Sequence, residues 1–137
     1  MNQVSDLKFS RDAQEKIIAG VNMLTDAVKI TLGPKGKNVA IFRAGKAPHL
    51  TKDGVTVANA ISLRDPYENL GAQVVKEAAQ RSSEVAGDGT TTATVLAQAI
   101  LYEGSRIIDS GMDTRQVCAG IEAAAHDVLN QLEHTRV

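Results

Sequence analysis

The sequence is short of the materials from which several common functions are built. Aromatic residues make up 3% of its 137 and tryptophan is absent, which argues against a platform for stacking bases. Neither sign of charge dominates: 15 Lys and Arg stand against 16 Asp and Glu, a balance that argues against nucleic acid or an anionic membrane as the main partner. Cys118 is the single cysteine, which excludes an internal disulfide and fits a reducing compartment. No apolar run is long enough to span a membrane. The opening Met1-Asn2-Gln3-Val4-Ser5-Asp6 has neither a secretory apolar core nor an Arg-rich transit pattern, so the expected location is the cytoplasm. His49, His126 and His134 show no metal-ligand spacing with one another or with Cys118, which reads as a packing residue beside Val117. No internal repeat, low-complexity segment or linker is visible. What remains, 43% apolar and 23% charged, is ordinary for one soluble globular domain with a modest core.

Helical periodicity carries most of the chain. Leu7 and Phe9 alternate with polar neighbours, a short-strand signal, and Ser10 can cap the first helix. Ile17, Val21, Leu24 and Val28 recur at helical spacing and predict that helix from about 11 to 31, with Gly33 and Pro34 terminating it. Residues 37–42 and 47–51 predict a short β-hairpin turning at Gly45, and residues 55–61 a short helix. Asp65-Pro66-Tyr67-Glu68 is a helix start, with Asp65 as cap and Glu68 at the capping-box position. Leu70, Val74 and Ala78 then share a face up to about Val85. A helix from Thr90 to about Asp109 comes next, broken by Ser110-Gly111-Met112. Asp113 or Thr114 caps a last helix with Val117, Ile121, Ala124, Val128 and Leu132 in one stripe.

The chain is organised around Gly87-Asp88-Gly89-Thr90-Thr91-Thr92-Ala93-Thr94, a tight turn feeding a helix N-terminus. Such an end presents unpaired N–H groups and the positive end of the helix dipole, a seat for phosphate. The glycines allow close backbone approach. The hydroxyls of Thr90, Thr91 and Thr92 add donors. Asp88 repels a bare phosphate and makes sense with a cation between, as Mg²⁺ prefers. An ordinary N-cap needs one such residue, whereas three β-branched threonines cost helix stability without a structural return. Two further Gly-bearing polar turns, Gly33-Pro34-Lys35-Gly36-Lys37 and Thr51-Lys52-Asp53-Gly54, lie between packed elements and can converge on the same ligand. Alone, the first misses the Walker spacing and the second reads as a solvated turn.

Taken together, Thr31-Leu32-Gly33-Pro34-Lys35-Gly36, Thr51-Lys52-Asp53-Gly54-Val55 and the run from Ala86 to Ala97 resemble, in order and separation, the N-terminal part of group I chaperonins, the GroEL type. Gly20-Val21-Asn22, Asn69-Leu70-Gly71-Ala72-Gln73 and Gly111-Met112 extend the resemblance over almost the whole chain. It implies a mainly α fold, the antiparallel multi-helical chaperonin equatorial-domain fold (N-terminal half), with one small β-hairpin. Residues 1–137 would be the N-terminal portion of the ATP-binding equatorial domain, ending at the approach to the intermediate domain. By position, Asp88 resembles the family's Mg²⁺ ligand, and Gly89, Thr90, Thr91 and Thr92 its phosphate cradle. Thr31, Leu32, Gly33 and Pro34 resemble its nucleotide-contacting turn. Lys52 resembles a phosphate contact in a turn that also lies near K⁺, and Asp53 a catalytic acid near the attacking water.

The implied activity is ATP hydrolysis in a ring-forming protein-folding machine. The implied cofactors are ATP, Mg²⁺ and K⁺. The implied partners are copies of itself in a ring, unfolded client proteins and a co-chaperonin, with no nucleic acid and no membrane. Family subunits are several times longer, so the expectation is a piece of a longer subunit. Its apical domain would engage clients, and its second equatorial half would supply another nucleotide wall and the principal water-activating aspartate. The hairpin and the N-terminal strand would make ring contacts. Phe42-Arg43-Ala44-Gly45-Lys46 is more basic than the family's usual hairpin tip, Cys118-Ala119 replaces a basic tendency, and Ser83-Glu84 replaces Asn-Asp. The alternative is a truncated chaperonin paralogue, a binding or interaction module without turnover. A small phosphotransferase is the weaker third reading, since no second substrate pocket is legible.

Overall fold

The expected periodicities take shape as five helices and one hairpin in the computed structural model, which describes residues 11–135. The strand expected at Leu7 and Phe9 and the cap at Ser10 lie outside the described residues. In chain order the elements are α1 (Arg11–Lys29), β1 (Val39–Ile41), β2 (His49–Thr51), α2 (Gly54–Ala60), α3 (Pro66–Ala86), α4 (Thr90–Asp109) and α5 (Thr114–His134). The strands pair antiparallel, with Val39 opposite Thr51, Ala40 opposite Leu50 and Ile41 opposite His49. The chain packs as two compact units, residues up to Gln98 and residues from Ala99 onward.

The first unit is built on the packing of α1 against α3. From α1, Val21, Leu24 and Val28 are buried; from α3, Gly71, Ala72, Val75 and Ala79. Two glycines set how close the helices come. A Cβ on Gly20 would lie 1.8 Å from the Glu68 carbonyl oxygen, and one on Gly71 would lie 1.9 Å from that of Ile17. The helices therefore meet backbone to backbone. This contact also decides which face of α3 turns inward. Leu70 and Val74 remain half exposed, because the buried face is the neighbouring one, made of small residues. α2 packs on both helices and on β1, burying Val57 and Ala58.

Three aspartates start helices by the same local chemistry. Asp53, Asp65 and Asp113 each accept from two backbone N–H groups of the helix they cap. Asp65 also pairs with Lys16, tying the start of α3 to α1. Lys76 reaches the Ile61 carbonyl at the end of α2. Gln98 on α4 donates to Asn22 Oδ1 at 2.7 Å and receives Lys29, which holds the first half of α4 beside α1. On the same helix, the hydroxyl of Thr25 is buried without a hydrogen-bond partner.

The second unit joins the last part of α4 to α5. Gly104 is buried, and a Cβ built there would sit 3.7 Å from Ile121 and 3.9 Å from Val117. Val117 is the buried residue of α5, while Val128 and Leu132, expected to continue its apolar stripe, are exposed. Among the described residues, no helix is long and apolar enough to cross a membrane.

Candidate functional site

Three turns meet in the first unit. The first leaves the end of α1. Its Thr31 hydroxyl donates to the Val28 carbonyl at 2.7 Å and lies 3.3 Å from the Thr91 hydroxyl of α4. The second leaves β2 and enters α2. The backbone N–H of Asp53 donates to Thr51 Oγ1 at 3.0 Å. The Asp53 carboxylate receives the N–H groups of Val55 and Thr56, at 3.3 and 2.9 Å, and the Thr56 hydroxyl. That hydroxyl, foremost, together with the two N–H groups, holds the Asp53 carboxyl below the usual carboxylate range against the opposing effect of burial.

The third turn joins α3 to α4. Gly87 closes α3 in the left-handed conformation, φ 69°, and its N–H returns to the Ser83 carbonyl at 2.9 Å. Gly89 is left-handed as well, φ 77°, which a side chain would resist. Its N–H donates to Asp88 Oδ1 at 2.6 Å, and the Ser82 hydroxyl donates to the Asp88 carbonyl at 2.9 Å. The Gly89 carbonyl accepts from Ala93 at 2.8 Å, the first turn of α4. Thr94, fully buried, bonds back to the Thr91 carbonyl at 2.7 Å.

The second and third turns touch at Gly54. A Cβ there would lie 2.6 Å from Thr91 Oγ1 and 3.2 Å from Thr90 Oγ1. Between the three turns lies an open cleft of about 400 Å³. Thr31, Leu32 and Gly33 line it from the first turn, Lys52, Asp53 and Gly54 from the second, and Asp88, Gly89, Thr90, Thr91 and Thr92 from the third. All the residues singled out from the sequence line it except Pro34, which comes after Gly33 and stays outside. Gly54 joins the lining without having been singled out for the site. Ser82 and Thr56, which brace the two aspartates, also escaped the sequence. Their signal exists only in three dimensions, where Ser82 reaches a carbonyl six residues on.

The cleft is rich in hydroxyls, holds one lysine and two carboxylates, and opens on a helix start whose first N–H groups have no intrahelical acceptor. Among the described residues, no group of three or more His, Cys, Asp or Glu could hold a metal ion. A metal at Asp88 would therefore share its ligands with a bound anion and water, the set that Mg²⁺ accepts.

The family model for TCP-1/cpn60 chaperonins matches residues 24–137. The chain belongs to this family. Its fold is that of the chaperonin equatorial domain. It is similar to the chaperonin gp146 from the bacteriophage EL 2 (Pseudomonas aeruginosa), whose crystal structure was determined in the presence of ATP-BeFx. The TM-score is 0.78 and the identity 34%, over 93% of this chain and 22% of that chaperonin. The chain thus spans under a quarter of the length of this solved chaperonin.

Proposed function

We propose that this chain is the N-terminal portion of a chaperonin equatorial domain, residues 1–137 ending at the approach to the intermediate domain, and that its cleft holds Mg-ATP. The observation that carries the proposal is the convergence of three Gly-bearing turns, remote in sequence, on one hydroxyl-lined cleft at the start of α4. The N–H groups of Thr90, Thr91 and Thr92 and their hydroxyls receive phosphate oxygens, and the dipole of α4 favours the negative charge. Lys52 adds a positive charge from the second turn. Asp88 would hold Mg²⁺ in this reading, and the metal would supply positive charge against the phosphates. The turn of Lys52 would lie near K⁺, as the family resemblance implies. Asp53, held anionic by its donors, keeps one acceptor position on Oδ1 for a water that it can orient. Its depressed basicity suits orientation better than full proton removal. The similar phage chaperonin, crystallised in the presence of ATP-BeFx, supports a nucleotide as the ligand.

Turnover, assembly into a ring through the hairpin and residues 1–10, and action on client proteins with a co-chaperonin belong in this reading to a longer subunit. The test of the cleft is a calorimetric titration of the chain with ATP in Mg²⁺ and K⁺, beside Asp88→Ala. The wild type should bind, and the variant should lose roughly tenfold or more in affinity, the loss of one charge-assisted contact. A folded variant that binds as tightly as the wild type would remove Asp88 from the site.

A further inference from the structure

We propose that Ser82 is a positioning residue for the Asp88 carboxylate, acting through the single peptide plane between Asp88 and Gly89. The inference rests on the reading of the cleft as a Mg²⁺–nucleotide site. Ser82 lies in the last turns of α3, half exposed, and its hydroxyl donates to the Asp88 carbonyl at 2.9 Å. A trans peptide is planar, with its C=O and N–H pointing in opposite directions. Fixing the Asp88 oxygen therefore fixes the direction of the Gly89 N–H. That N–H is the group that donates to Asp88 Oδ1, at 2.6 Å. One hydroxyl on a rigid helix thereby orients an exposed carboxylate on a turn.

The turn needs such a brace. It is flanked by two left-handed glycines, Gly87 at φ 69° and Gly89 at φ 77°, the residues with the widest choice of backbone conformations. The bond from Gly87 to Ser83 closes the helix but does not itself fix the Asp88–Gly89 peptide. Ser82 holds that peptide by its carbonyl. It also stands against Gly89 itself: its Oγ lies 3.4 Å from where a Cβ on Gly89 would be. Ser82 reaches no cleft-lining position of its own, so its effect on a ligand passes through Asp88.

The test compares wild type, Ser82→Ala and Ser82→Thr. Each is titrated calorimetrically with ATP plus Mg²⁺ and with ATP plus a chelator. Exchange of the Gly89 amide is measured in the ligand-free protein. Ala preserves the helix. It should weaken Mg²⁺-ATP binding about 3- to 10-fold, the weight of one ordinary hydrogen bond, and leave metal-free ATP binding unchanged. Its Gly89 amide should exchange faster, and Thr should restore both readouts. An equal loss with and without Mg²⁺ would mean a general loosening of the cleft and would overturn the inference. So would Ser82→Ala binding Mg²⁺-ATP like the wild type. A wild type that binds no ATP, or binds without regard to Mg²⁺, would take the nucleotide reading down with it. Binding that is lost in Asp88→Ala but unchanged in Ser82→Ala would remove the positioning role alone.

Discussion

Asp65 caps α3 and also receives Lys16 from α1. Lys16, foremost, with the N–H groups of Glu68 and Tyr67, lowers its pKa in the fold. A carboxyl whose pKa falls on folding stabilises the protein above its unfolded value, and that contribution is lost as pH drops through the folded value. The thermal midpoint should therefore decline as the solution is acidified through and below the ordinary carboxylate range. Asp65→Asn keeps a capping side chain but loses the charge, so its midpoint should depend less steeply on acid. An unchanged slope in that variant would show that Asp65 does not couple folding to protons. The caps Asp65 and Asp113 were legible in the sequence because capping is local chemistry. Asp53 was legible as a site acid through the family resemblance alone. Its engagement by the Thr56 hydroxyl was not, because choosing a rotamer requires coordinates. Ser82 was hidden for a related reason: the left-handed Gly87 folds the chain back over it.

The helices and the hairpin were readable from periodicity, breakers and caps, and their observed bounds lie close to those expected. Which face each helix buries was harder to read. A hydrophobic count favours Leu70 and Val74 on α3, yet the closest approach of α1 is decided by what lacks a side chain, Gly20 and Gly71. Small residues give little hydropathy signal while permitting the tightest packing. A pair of substitutions separates the two roles of helical glycine. Gly71→Ala forces a methyl into the Ile17 carbonyl and should cost at least about 2 kcal/mol in urea denaturation. Gly120 on α5 has open space around it, so Gly120→Ala should stabilise by roughly 0.5–1 kcal/mol, the helix-propensity gain. Equal effects at the two positions would contradict the backbone-to-backbone contact.

At the scale of the molecule, apolar side chains stand in water in numbers that one buried core does not absorb. On α5, Val128, Leu129 and Leu132 are each 58–60% exposed. Within the second unit, α4 and α5 bound an apolar groove of about 480 Å³ that includes Ile100, Ile107, Met112 and Val117. Surfaces of this kind drive association. Sedimentation of the 137-residue chain should show mass rising with concentration, and Val128→Glu combined with Leu132→Glu should return it toward a monomer. A well-behaved monomer at high concentration would refute the expectation. The sequence announced the α5 stripe by its periodicity, which tells which side chains align; the expectation of a missing half pointed to its exposure. The crossing of α1 and α3 has a mechanical consequence. Gly71 lies sixteen residues before Gly87, a reach of about 24 Å along a helix that rises about 1.5 Å per residue. With the backbones in contact there, a change in the crossing would be carried along α3 to its end at Ala86, two residues before Asp88. A tilt of about 5° there would displace that end by about 2 Å, nearly the length of a metal–oxygen bond.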